Sequence, residues 1–181
     1  MPATSDPTQT NLNRQLLSDL QGRLSAISYV GPGVVEAIVT TPNHDEHVLR
    51  TDARLIPGKG VEGDGPYKKF WKGEMMEARQ ISAINAEVLD AVGVGYNVSG
   101  DNLIIRGIDL SRIEKGDRIK IGDAVLVATG TPHRPCDLLA ERTSNTHKAA
   151  LSGGRLRGAF FDALDAVSIC VGDEVELIVT P

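Results

Sequence analysis

Five Gly-Asp pairs divide the sequence into short segments, and this is the feature that most limits what the chain can fold into. The pairs are Gly63-Asp64, Gly100-Asp101, Gly116-Asp117, Gly122-Asp123 and Gly172-Asp173. Glycine adopts positive φ at no steric cost and aspartate bonds to nearby backbone amides, so both residue types favour turns. Many turns between short elements are typical of all-β or mixed folds. We therefore predict a mainly β structure.

The composition predicts an aliphatic core in a globular domain. Among 181 residues, Leu, Ile and Val number 46, whereas Phe, Tyr and Trp together number seven. A charged fraction of 24% beside a hydrophobic fraction of 41% argues against disorder. No apolar run approaches the roughly 18 residues that a membrane-spanning helix needs, so we expect no membrane partner.

Charge and cysteine usage narrow the function classes further. The net charge is −5, and nucleic-acid binding needs a broad basic face, so we expect no nucleic-acid partner. Cys136 and Cys170 are the two cysteines, too few for a disulfide framework. Residues 1–13 lack the basic and apolar segments of a signal peptide. These features together predict a cytoplasmic protein.

Hydrophobic spacing predicts the first elements. Leucines recur every four residues and predict a helix over Asn11–Arg23. We expect a strand over Leu24–Val30 and another over Val34–Thr40. The chain then returns through Val48–Ile56 to form a hairpin.

The second half of the chain is predicted to mix strands and short helices. Ser82 is the expected N-terminal cap of a helix that ends at Gly93. Alternating residues around Gly122-Asp123 predict a hairpin. Pro135 is expected in the first turn of a helix that runs to Arg142. Further strands are expected at 102–106, 158–164 and 174–179.

The sharpest chemical signal is the run TPHRPC at residues 131–136. Cys136 lies at a predicted helix start, close to His133 and Arg134. A helix N-terminus and nearby cations stabilise a thiolate, which is both the nucleophilic and the metal-ligating form of cysteine. The alternative is that Cys136 is a small buried hydrophobe. Cys170 lies in an alternating strand with no neighbouring base, and we expect it to be structural.

Other sequence patterns indicate a binding site less strongly. The glycine-rich segment 58–65 has the composition of a loop that wraps a phosphate, although a loop of this kind taken alone is more often just a wide turn. The basic run that begins at Lys68 is either a solvated face or a lid that faces an anion. A zinc site built from His133, Cys136 and His147 has no standard spacing, and structural zinc prefers four ligands, so this reading is disfavoured.

Several short pieces, read in order, match the pattern of one family. The pieces are Gly60-Val61-Glu62-Gly63-Asp64, Arg79-Gln80-Ile81-Ser82, Asn102-Leu103, Gly107-Ile108-Asp109-Leu110, Gly116-Asp117, Ile121-Gly122-Asp123-Ala124, Pro135-Cys136, Arg157-Gly158 and Val171-Gly172-Asp173-Glu174-Val175. Their order resembles that of the MOSC domain, which is named for the C-terminal region of molybdenum cofactor sulfurases. The likeness covers about Gly22 to Val179. It implies a tail and helix at residues 1–21, followed by a MOSC domain at 22–181.

The resemblance implies a β-barrel with several peripheral α-helices and a cleft for the molybdenum cofactor, molybdopterin. The family cysteine falls on Cys136, which is therefore expected to ligate molybdenum and to be catalytic. The expected cofactor contacts are Lys68, Arg79, Asn102, His133, Arg134 and Arg157. The arginines offer forked donors for phosphate or pterin oxygens, although each is equally explained as a structural hydrogen-bond centre.

Three functions follow from the resemblance. The first is a molybdenum enzyme that reduces N-hydroxylated small molecules with electrons from a redox partner, since no flavin, haem or iron–sulfur motif occurs. The second is a non-redox carrier that receives persulfide sulfur from a cysteine desulfurase. The third is a binding module without chemistry. Pyridoxal phosphate is associated with full sulfurases, and no lysine here stands out as a Schiff-base former.

Overall fold

The computed structural model of the protein describes residues 7–44, 46–65, 70–71 and 74–178. In chain order its elements are α1 (Pro7–Ser25), β1 (Gly33–Thr40), β2 (Val48–Arg50), β3 (Asp52–Ile56), β4 (Gly60–Val61), β5 (Phe70–Trp71), β6 (Glu74–Met75), β7 (Ile81–Asn85), α2 (Ala86–Val92), β8 (Leu103–Arg106), β9 (Arg118–Ile121), β10 (Ala124–Ala128), α3 (Asp137–Arg142), α4 (Asn145–Ala150), β11 (Ala159–Ala163), β12 (Val167–Cys170) and β13 (Glu174–Ile178). Short 3₁₀ turns lie at Glu77–Arg79 and Leu110–Arg112.

Seven of these strands form a closed barrel. The order around it is β1-β8-β7-β11-β10-β9-β13, and β13 pairs with β1 to complete the circle. The closing contacts are the antiparallel pairs Gly33 with Val175 and Val34 with Glu174. Neighbours run antiparallel except β7 and β8, which are parallel. The predicted mainly β barrel with peripheral helices is confirmed.

Aliphatic side chains fill the barrel, as the composition predicted. Its interior includes Val35, Leu103, Ile119 and the aromatic Phe161, each at most 1% exposed, and the buried Leu55 of β3 belongs to the same apolar cluster. Burial of one such side chain contributes about 1.5–3 kcal/mol relative to leaving it in water. The barrel wall is therefore a rigid support for the loops at its ends.

A second apolar cluster joins the helices to the outside of the barrel. Leu20 and Leu24 of α1 and Leu89 of α2 are buried there, together with Ile84 of β7 and Leu139 of α3. The leucine spacing thus predicted the right helix, but α1 continues to Ser25. The strand predicted over Leu24–Val30 is wrong, because Leu24 is needed on the buried face of α1.

The helix predicted to begin at Ser82 begins later. Residues 81–85 form β7, which is buried throughout and pairs with both β11 and β8. The helix starts at Ala86, after Asn85, and ends at Gly93, which has a left-handed φ of 69° as expected. The spacing of apolar residues across 84–92 fits a helix. Residues 81–85 nevertheless form a strand, because they pair with two strands that are distant in sequence.

One of the two predicted hairpins is present as predicted, and the other is present only in part. β9 and β10 form the hairpin around Gly122-Asp123 as predicted, with Ile121 opposite Ala124. β1 and β2 also pair, but the chain then leaves the barrel. β3 lies instead in a small sheet between β12 and β4. Among the helices of the described residues, none has both the length and the apolar composition to cross a membrane.

Candidate functional site

Cys136 lies at the mouth of a cleft beside the barrel. Residues 130–135 connect β10 to α3, and Cys136 occupies the N-terminal cap position of α3 with extended backbone angles. Its thiol is exposed. The cleft has a volume of about 480 Å³, within the usual range for small-molecule sites. Its lining comprises Arg79, Pro132, His133, Arg134, Pro135, Cys136, Asp137, Lys148 and Phe160.

Two arginines give this cleft uncompensated positive charge. No carboxylate among the side chains that the structure describes pairs with Arg79 or Arg134. By contrast, Arg155 and Arg157 each bond to one carboxylate and Arg106 bonds to two. The Nε of Arg79 is buried and has no hydrogen-bond partner among the described residues. A guanidinium that no described carboxylate pairs with, and whose Nε has a hydrogen bond to give, favours an anionic ligand in this cleft.

The third cation of the cleft is paired. Lys148 of α4 donates through Nζ to the Oδ1 of Asp137, the first residue of α3. This bond lowers the pKa of the Asp137 carboxyl and ties the two short helices together beside Cys136. Asp137 therefore remains a carboxylate near the thiol, with its charge balanced by Lys148.

Aromatic contacts form the floor of the cleft. The guanidinium carbon of Arg79 lies 5.5 Å from the ring centroid of Phe160, within cation–π range. The same ring lies 4.2 Å from the centroid of the His133 ring, at 40° between planes. Phe160 belongs to β11, where it pairs with Ser82 of β7, so the barrel fixes the position of its backbone.

Behind the floor, a buried ion pair holds His133. The Nη2 of Arg157 lies 3.2 Å from the Nε2 of His133, and Arg157 also binds the carboxylate of Asp101. A guanidinium only donates hydrogen bonds, so the Nε2 of His133 accepts and the ring proton lies on Nδ1. His133 is therefore assigned as neutral.

The electrostatics of this pocket agree with a neutral His133. The pKa of His133 is lowered from 6.5 to about 4, and burial is the largest cause. The carboxylate of Asp101 acts in the opposite direction and raises this pKa, whereas the positive charges of Arg157 and Arg79 add to the lowering. The charged form is disfavoured mainly because an imidazolium here would be removed from water, and two guanidinium groups nearby add to that penalty.

A second cavity shares a wall with the cleft. It has a volume of about 360 Å³, and residues 132–135 and Phe160 line both spaces. Its rim carries the salt bridge between Arg155 and Glu114, with Nη1 and Oε1 2.7 Å apart. Arg155 also donates to the carbonyl of Ile113 and has a left-handed φ of 55°.

The structure brings some of the predicted site residues together and leaves others apart. Arg79, His133, Arg134 and Cys136 line the cleft. Arg157 lies behind it in the ion pair. Lys68 lies outside the described residues.

Asn102 is likewise not part of the cleft lining. Its amide nitrogen donates to the carbonyl of Val39 and to Asp64, and its side-chain oxygen accepts from the amide of Ser82. These bonds join β1, β7 and the glycine-rich loop, because Asp64 also accepts from the amide of Thr41. Asn102 therefore acts here as a hydrogen-bond centre of the fold.

The cleft also contains residues that sequence reasoning missed. These are Phe160, Asp137 and Lys148, with Asp101 behind them. The only sequence signal for Asp101 was its place in a Gly-Asp pair, which indicated a turn.

The disfavoured zinc site is not formed: no group of three potential metal-ligating side chains occurs in the described part of the chain. His147 instead contacts Ser144 and the carbonyl of Val92.

The barrel topology and the cysteine-bearing cleft beside it allow a comparison with known protein families. The sequence profile of the MOSC domain matches residues 74–176, more than half of the chain. The protein belongs to the MOSC domain family. No curated protein matches the chain at a significant level.

Solved structures support the same fold. The YuaD protein from Bacillus subtilis superposes with a TM-score of 0.69 at 19% identity, over 83% of this chain and 98% of that one. YiiM from Geobacillus stearothermophilus gives a TM-score of 0.62 at 16% identity, over 82% of this chain and 76% of that one. YiiM from Escherichia coli gives 0.55 at 20% identity, over 82% and 71%. At these identities the likeness concerns the fold alone.

Proposed function

We propose that the cleft binds the molybdenum cofactor, with the Cys136 thiolate as the protein ligand of molybdenum. The observation that carries this proposal is the exposed thiol in a cleft with two arginines that no described carboxylate neutralises. The cofactor is a pterin with a phosphate and a dithiolene. Its phosphate requires cationic donors, and a thiolate is a soft ligand that suits a sulfur-coordinated metal.

The residues present fit this group. The buried Nε of Arg79 has a hydrogen bond to give, and Arg134 presents a second planar donor set. Such forks match phosphate and pterin oxygens in pairs. Metal ligands besides Cys136 would come from the dithiolene of the cofactor itself, which is consistent with the single thiol in the cleft.

Within this proposal each residue has a separate task. Arg79 and Arg134 bind and orient the anionic part of the cofactor, while Cys136 fixes the metal end. Lys148 balances the charge of Asp137, so the carboxylate does not oppose an anion nearby. The bound cofactor supplies two-electron redox chemistry, with an N-hydroxylated small molecule as the proposed substrate and a separate redox protein as the electron source. Oxygen removal consumes two electrons and two protons and releases water.

A second candidate function uses the same thiol without metal. The exposed position of Cys136 at the cleft mouth makes it accessible to another protein, as a carrier of persulfide sulfur requires. In that case a cysteine desulfurase is the partner, and the cations of the cleft stabilise the anionic persulfide. Both candidates fit the reducing cytoplasm, in which thiols stay reduced.

Elemental and mass analysis distinguish these candidates. The protein is purified from a molybdenum-sufficient host as the unaltered chain, as Cys136→Ser and as Cys170→Ser. Cys170 is also exposed, so its variant is the matched control for loss of a thiol. We expect stoichiometric molybdenum and pterin in the unaltered and Cys170→Ser proteins and a loss of both in Cys136→Ser.

Other outcomes contradict the first function. Protein without molybdenum whose Cys136 carries the mass of one added sulfur atom supports the sulfur carrier instead. Protein with neither metal nor persulfide, under conditions that load other molybdenum enzymes of the same host, contradicts both functions.

A further inference from the structure

His133 touches the two halves of the site with different parts of its ring. Its Nε2 accepts from Arg157 at 3.2 Å, and the carboxylate of Asp101 lies 3.5 Å from the same nitrogen. Its ring face packs on Phe160 with centroids 4.2 Å apart. The side chain is only 9% exposed, so little of it faces the cleft. One residue therefore connects a buried ion pair to the aromatic floor.

The floor in turn supports an arginine of the cleft. The guanidinium of Arg79 lies over Phe160 at 5.5 Å, and its Nε is buried without a partner. Arg79 is the last residue of a 3₁₀ turn that contains a non-helical residue, Ala78. Its guanidinium packs over the ring of Phe160, so this ring is a described group that restricts where the guanidinium points.

We propose that His133 is a positioning residue for Arg79 rather than a direct contact of the bound ligand. Asp101 fixes Arg157, Arg157 holds the imidazole in one orientation through Nε2, His133 packs Phe160 into place, and Phe160 orients Arg79 toward the anion. This inference rests on the proposed function to the extent that the cleft binds an anion. It assigns Asp101 and Phe160 supporting roles that no sequence motif indicated, and it gives Arg157 a supporting role in place of the cofactor contact that the resemblance implied.

Two substitutions of His133 separate the contribution of its ring from the contribution of its nitrogen atoms. His133→Phe keeps a ring against Phe160 but removes the acceptor of Arg157. His133→Gln keeps a polar group that can accept from Arg157 but removes the ring. A positioning role through the floor therefore depends on the ring, whereas a direct contact with the anion depends on the imidazole nitrogens.

The test is a double-mutant cycle with inorganic phosphate as the probe, measured by calorimetric titration of the full chain. We expect His133→Gln to raise the dissociation constant about two- to fivefold, the range of a cation–π contact, and His133→Phe to leave it within about twofold. In an Arg79→Gln background, His133→Gln should have no further effect. Arg106→Gln, which removes the same charge from an ion pair outside the cleft, is the control and should bind phosphate normally.

Stability measurements complete the design. Melting curves should show that His133→Phe loses stability, because a buried Arg157 donor is left without its acceptor. Equal loss of phosphate affinity in both His133 variants, independent of Arg79, identifies a direct contact and overturns the positioning role. Unchanged affinity in both variants overturns it as well. Absence of phosphate binding by the unaltered protein overturns the anion cleft, and the positioning role with it.

Discussion

The carboxylate of Asp101 holds the guanidinium of Arg157 through two contacts inside the protein. Nη1 lies 2.9 Å from Oδ2 and Nη2 lies 3.3 Å from Oδ1, and the two side chains are 4% and 1% exposed. Removal of one partner from such a pair leaves an uncompensated buried charge. We predict that Asp101→Asn lowers the free energy of unfolding by about 3–5 kcal/mol, as measured by urea denaturation.

A surface ion pair provides the control for this prediction. Arg106 bonds to Glu36 at 2.9 Å, with both side chains about one-third exposed. Glu36→Gln should therefore cost less than about 1 kcal/mol. Losses of equal size in the two variants would show that the buried pair has no special role.

The neutral state of His133 predicts a specific pH dependence of stability. The pKa of His133 is about 4 in the folded protein and 6.5 as the ordinary value. Between these values the unfolded chain binds a proton that the folded protein does not, so the free energy of unfolding falls as pH falls from 6.5 to 4. The contribution of this residue is about 3 kcal/mol over that interval.

His133→Phe isolates this contribution, because phenylalanine does not titrate and retains the ring. Denaturation at a series of pH values should give a smaller loss of stability for the variant than for the unaltered protein between pH 6.5 and 4. Parallel curves for the two proteins would mean that His133 is not held neutral by its surroundings.

Gly158 is predicted to tolerate no side chain. Its φ is 77°, and a Cβ at this position would overlap the backbone carbonyl of Ala83 on the neighbouring strand. Gly158→Ala should therefore cost more than about 2 kcal/mol, measured by thermal or chemical denaturation. Gly153, in the same turn, has open space around the position of a Cβ. Gly153→Ala should change stability by less than about 1 kcal/mol, and a similar loss in both would contradict the steric argument.

The two thiols are predicted to differ in their response to the charge of a reagent. Both are exposed, but Cys136 shares its cleft with Arg79 and Arg134, whereas Cys170 pairs in register with Asp52 and lies beside Asp173. Positive potential raises the local concentration of anions. The ratio of alkylation rates with iodoacetate and iodoacetamide should therefore be several-fold higher at Cys136 than at Cys170.

Peptide mass spectrometry measures both rates in one sample. Added salt should reduce the difference, because exposed charges are screened over about 10 Å at 0.1 M ionic strength. Arg134→Gln should also reduce it. Equal ratios at the two cysteines at low salt would show that the cleft does not attract anions.

Sequence reasoning succeeded where the signal was local. The leucine repeat of α1 and the alternation around Gly122-Asp123 are short-range patterns, and both elements formed. It failed at residues 81–85, since Ile84 fits a helical repeat with Val88 equally well. Only hydrogen bonds to β8 and β11, contributed by residues about 20 and 80 positions away, make this segment a strand.

The candidate site also contains residues that the sequence grouped locally and residues that only the fold brings together. Cys136, His133 and Arg134 are neighbours in sequence, so their grouping was visible, and the resemblance added Arg79. Phe160 and Lys148 join them only because β11 and α4 fold against the segment after β10. Asp101 carried a turn signal alone. Its contact with Arg157 spans 56 residues and has no counterpart in any local pattern.

The closure of the barrel also constrains the order in which the protein assembles. The first strand of the circle, β1, completes its pairing at Gly33 and Val34 only when β13, the last strand, reaches it. During synthesis every residue from β1 through β13 must leave the ribosome before that edge is covered. Until then, the unpaired backbone groups of this edge can bind chaperones or pair with another copy of the chain. Contacts of this sequence separation also predict slow folding for a domain of this size.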